Sequence, residues 1–87
     1  MEKRLPALRI AMRIGRRKAR IEGNYKEVNA ITEALSNEDI QREVLTRLKS
    51  RLNRQMKIRE IGDGSLLDWF LENWQEILRI ILIIIGL

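Results

Sequence analysis

Apolar residues recur at helical spacing through most of this chain. Ile40, Val44, Leu48, Leu52 and Met56 fall four apart with Leu45 beside them, which predicts a long helix whose single apolar stripe needs another helix to cover it. In the C-terminal third, Leu67, Leu71, Trp74, Leu78, Ile81 and Ile85 follow alternating fours and threes, a heptad-type seam widened by Phe70, Ile77 and Ile84. Near the N-terminus, 100° spacing gathers Arg9, Arg13, Arg16, Arg17 and Arg20 into one basic stripe. Leu5, Leu8, Ile10, Ala11, Met12, Ile14, Ala19 and Ile21 cover the rest of that helix. Alternation of the strand type never lasts more than a few positions, so an all-α fold of about four helices is expected.

Punctuation sets the boundaries. Pro6 suits a first helical turn, and Gly23 suits the left-handed residue that ends a helix. Asn24 with Glu27, Ser36 with Asp39 and Ser65 with Asp68 each have the spacing of a capping box. The expected helices are 6–22, 25–35, 37–61 and 66–86, with Gly62-Asp63-Gly64 as a flexible break. This divides the chain into a basic helical region (1–61), a glycine-rich turn (62–65) and a C-terminal helix (66–87) that passes from amphipathic to apolar. The string Gly23-Asn24-Tyr25-Lys26-Glu27 resembles the turn between the two helices of a tetratricopeptide repeat. The resemblance covers five residues and implies a helical hairpin there.

Charge sharpens this picture. The net charge of +5 conceals four blocks. Residues 1–20 carry eight Lys/Arg against Glu2, giving +7, and residues 21–46 carry six acids against Lys26 and Arg42, giving −4. Residues 47–59 hold six Lys/Arg and no acid, +6, whereas residues 60–87 hold five acids against Arg79, −4. Such alternation leads one to expect oppositely charged blocks to meet, within the chain or between neighbours.

Three readings of the N-terminal helix are open: a core helix with a solvated basic face, a helix lying on an anionic membrane surface, or a phosphate-contacting helix for nucleic acid. Base-specific reading is disfavoured, because no Asn or Gln stands among the arginines. In the long helix, Glu38 with Arg42 and Glu43 with Arg47 are favourable i, i+4 pairs. Its later half is basic, with Arg47, Arg51 and Arg54 in a column, open either to intramolecular pairing or to a polyanion.

The C-terminal helix poses the sharpest question, since no polar side chain follows Arg79. At about 1.5 Å per residue, the run 80–87 covers about 12 Å of a hydrocarbon core roughly 30 Å thick. Extending it back to Trp69 brings Glu72, Glu76 and Arg79 into lipid at roughly 2.5–3.5 kcal/mol each. A lone span is therefore not expected, unless the natural chain continues past Leu87. The remaining readings are insertion of the helix end into one leaflet, contact between copies, and an intramolecular core.

The chain has no Cys and no His, so it lacks the usual residues for a metal cluster, a catalytic triad or a thiol nucleophile. Gly62 and Gly64 lack the Gly-Lys-Ser/Thr ending of a phosphate loop. No enzyme, cofactor, metal or small-molecule substrate is expected. A basic N-terminus with no apolar stretch behind it does not read as a secretory signal.

A chain of 87 residues hides only about 60–65% of its unfolded surface, and disulfides and metals are closed to it as supports. The expected protein is thus a small helical structural or interaction protein that works in a homo-oligomer or larger assembly, cytoplasmic or on the cytoplasmic side of a membrane. Economy of design would also suit a viral or phage particle. Arg9, Arg13, Arg16, Arg17, Arg20, Arg47, Arg51 and Arg54 are the candidate polyanion contacts, the polyanion being lipid headgroups or non-specifically bound nucleic acid. Leu67, Phe70, Leu71, Trp74, Ile77, Leu78, Ile81, Ile84 and Ile85 are the candidate oligomer or membrane contacts.

Overall fold

A computed structural model describes residues 4–58 and 63–86, with side chains for 4–54 and 66–86. The described residues are all-α, in five helices: α1 (Arg4–Ile21), α2 (Tyr25–Leu35), α3 (Glu38–Ile58), α4 (Asp63–Glu72) and α5 (Trp74–Ile85). The α1–α2 hairpin forms where the Gly-Asn turn predicts it. Gly23 adopts φ +76°. Its N–H donates to Arg20 O (3.1 Å) and that of Asn24 to Ala19 O (2.9 Å), the paired bonds of a Schellman ending.

Asn24 then caps α2 by accepting the Glu27 N–H (3.3 Å). The capping box stays half-formed there, because the Asn24 N–H that Glu27 would reach is held by Ala19. At the next junction the cap moves by one residue from the expected Ser36. Ser36 retains helical φ/ψ as the C-cap that closes α2, and its hydroxyl donates to Glu33 O (2.9 Å). Asn37 is the residue that accepts from Asp39 N (3.0 Å) and Ile40 N (3.4 Å). At the third expected box, α4 opens at Asp63, so Asp63 and Gly64 belong to the helix and not to a break. Gly62 and the Ser65 side chain lie outside the described residues.

The single C-terminal helix expected over 66–86 is two, jointed at Asn73. Trp69 O accepts both the Asn73 backbone N–H (3.1 Å) and the Asn73 Nδ2 (2.9 Å). A short amide side chain competing for a helical carbonyl is a recognised cause of a bend. The bend lets α4 pack on α1 while α5 packs on α2 and α3. With a radius of gyration of 12.5 Å, against about 12 Å expected for a compact chain of this length, the last helix is folded in.

Every helix contributes to one core: Leu8, Ala11 and Met12; Ala30, Ile31 and Ala34; Val44, Leu48 and Leu52; Leu66, Trp69 and Phe70; Trp74, Ile77, Leu78 and Ile81. Trp69 and Phe70 meet edge to face, 5.7 Å between ring centroids. Gly15 is required where it stands, since a Cβ there would fall inside the Trp74 indole. Gln41 is the buried polar side chain of this core, only 1% exposed. Its Nε2 donates to Ala34 O (2.9 Å) and Leu35 O (3.0 Å), satisfying carbonyls at the open end of α2. Its Oε1 accepts from Arg9 Nε (2.7 Å).

Candidate functional site

The charge blocks meet as their signs require, and this divides the eight candidate arginines. Arg9 reaches from α1 to Glu38 (3.1 Å) as well as to Gln41, joining the first basic block to the first acidic one. Arg51 ion-pairs with Glu76 and donates to Asn73 Oδ1 (3.3 Å), joining the second basic block to the second acidic one. Arg47 pairs with Glu43 one turn back (3.0 Å), and Arg16 donates to Thr32 Oγ1 (3.3 Å). Glu38 also takes Arg42 (3.0 Å). The Arg42 hydrogen bond, then its charge, holds the Glu38 carboxyl below its ordinary value.

Arg13, Arg17 and Arg20 on α1, and Arg54 on α3, are exposed and make no ion pair with a described residue. Three of these four lie on one helix. The eight arginines are therefore not one polyanion surface: Arg9, Arg16, Arg47 and Arg51 are engaged within the fold.

On α1 the arginines have company. The helix buries Leu5, Leu8, Ala11, Met12, Gly15 and Ala19. Turned away from these lie Ile10, Ile14 and Ile21, 42%, 45% and 79% exposed, within about 40° of one another on the helical wheel. Arg13 and Arg17 flank this row on one side and Lys18 on the other. Tyr25, 66% exposed, follows just beyond the Gly23 turn. The outward side of α1 is thus an apolar ridge between cations. Residue type alone does not distinguish these isoleucines from the buried apolar positions of the same helix. The signal that separates them is on the wheel itself, where the Ile10–Ile14–Ile21 row stands about 140° from the Leu8–Gly15–Ala19 row.

The nine C-terminal candidates take a different place from the one expected of a surface for lipid or another copy. Phe70, Trp74, Ile77, Leu78 and Ile81 are buried in this chain's own core, and Leu67, Leu71, Ile84 and Ile85 are half-buried against it. The heptad-type seam is filled by α1, α2 and α3. Of the apolar end, Ile83 is the large side chain left open, at 59%. No helix among the described residues is long and apolar enough to cross a membrane, and none of their acidic side chains cluster as a metal site would require. No family model, curated protein or solved structure matches the chain.

Proposed function

We propose that this chain is a non-enzymatic helical interaction module that docks peripherally on an anionic membrane surface through the outward side of α1. The observation that carries the reading is the row Ile10, Ile14 and Ile21, exposed opposite the core and bordered by cations without acidic partners among the described residues. A face meant only for water has no use for three isoleucines. A face meant only for phosphates is poorly served by them too, since they keep the arginines apart. Seating apolar side chains at the headgroup boundary with cations beside them is the arrangement of an interfacial helix.

The magnitudes suit reversible binding. Sinking three roughly half-exposed isoleucines recovers about 3 kcal/mol in all. Arg13, Arg17, Lys18 and Arg20 add about 1 kcal/mol each near an anionic leaflet. Neither half suffices once the cost of immobilisation is subtracted, so binding requires both.

Flotation with vesicles tests this. The protein should rise with phosphatidylserine-containing vesicles at low salt, fail to rise with purely zwitterionic ones, and lose binding on Ile14→Ser with Ile21→Ser. Remaining at the bottom of the gradient with anionic vesicles would dispose of the reading. Retained binding of a polyanion such as duplex DNA by the serine variant, with a steep salt dependence, would assign the arginines to nucleic acid instead.

A further inference from the structure

On the outward side of α3 runs a second charged column, unrelated to α1. Asp39, Glu43, Arg47 and Arg54 share a stripe about 80° wide and all are exposed. The order along the helix is acid, acid, base, base. The helix dipole accounts for acids in the first turn and bases in the last. Arg47, the tenth of the 21 residues of α3, is held by Glu43 one turn back, which leaves Asp39 and Arg54 as the two charged ends of the column.

Beside this column lies an open groove of about 510 Å³ between α3 and α5, lined by Asp39, Ile40, Glu43, Arg47, Ile83 and Ile84. Its apolar rim includes Ile83, 59% exposed. The helices run antiparallel there, Arg51 lying against Glu76 at one end and Glu43 beside Ile83 at the other.

We infer that this face pairs with the same face of a second copy, the two α3 helices antiparallel about a two-fold axis near Thr46. A column that runs from negative to positive is its own complement only when reversed, so Asp39 of each copy meets Arg54 of the other. Such an isologous contact closes at two copies. It lays the later half of each α3 over the other chain's groove and removes Ile83 from water, while the charges set the register. The α1 ridge takes no part, so the pairing and the membrane reading stand independently.

Sedimentation equilibrium on three chains decides it. Asp39→Lys with Glu43→Lys makes the column wholly basic, and Arg47→Glu with Arg54→Glu makes it wholly acidic. Wild type should be dimeric. Each reversed chain alone should dissociate at least about tenfold more readily, and an equimolar mixture of the two should regain a dimer. Ile83→Asp should also be monomeric, with circular dichroism unchanged and vesicle flotation retained. A wild-type chain that stays monomeric at about 100 μM, where any dimer of micromolar affinity is populated, overturns the proposal. So does self-association of both reversed chains at wild-type strength, which would place the contact on another face.

Discussion

The greasiest helix of this molecule and its most basic one exchange the roles that composition suggests for them. α5 is apolar over nearly its whole length, yet Trp74, Ile77, Leu78 and Ile81 are spent on the chain's own core. α1 carries the arginines and still leaves three isoleucines in water. The difference lies in what each helix meets. α5 drops between α2 and α3 because the Asn73 joint turns it inward, and Arg51 ties that joint to α3. α1 packs on α2, α3 and α4 and meets the Trp74 indole of α5 at Gly15, all through its buried row, so whatever occupies its far side stays outside. Mean hydropathy of a segment thus says little about where contact surfaces lie, and the position of its neighbours says more.

The contrast can be broken most forcefully by placing the same charge on each helix. Ile81→Asp, at a fully buried position, should cost more than about 4 kcal/mol and unfold a domain this small. Ile14→Asp on α1 should leave the free energy of urea unfolding within about 0.5 kcal/mol of wild type while abolishing vesicle binding. A smaller effect is expected at Gly15. Although alanine favours helices by about 1 kcal/mol over glycine, Gly15→Ala should destabilise by about 1–3 kcal/mol, because the Trp74 ring must leave its seat. Near-ultraviolet circular dichroism should report the displaced indole.

Gln41→Leu should cost about 2 kcal/mol in thermal unfolding by stranding the Ala34 and Leu35 carbonyls and the Arg9 guanidinium. The smallest effect is a pH response. Glu38 has its carboxyl lowered from 4.5, so its contribution is present above that pH and fades as pH falls through the lowered folded value. Glu38→Gln should flatten this acid limb without altering stability at neutral pH by much.

Much of the helical plan is readable from residues alone. Gly23 and Asn24 end one helix and start the next within a residue of where turn chemistry puts them. The alternating charge blocks foretell that Arg9 and Arg51 find acids in other helices. The joint at Asn73 is hidden because Leu67 to Ile85 keeps its spacing straight across it, and only the competition for Trp69 O reveals it. Ser36 loses the cap to Asn37 for an equally local reason, since its hydroxyl turns back to close α2. The two-sided character of α1 is harder to see. Ile10 and Leu8 have the same chemistry, and which one is buried depends on the three helices packed against α1.

Depth of insertion tests the central claim most directly. The chain has no cysteine, so single cysteines at Ile14, Ile21 and, at an exposed position of α5, Gln75 can each carry a nitroxide label. On anionic vesicles, labels at 14 and 21 should become accessible to oxygen and shielded from a water-soluble nickel complex, at a depth of about 5–10 Å, while the label at 75 stays aqueous. Labels at 14 and 21 that remain in water on vesicle-bound protein would contradict the account, because the isoleucine ridge would then not be what holds the molecule to the surface.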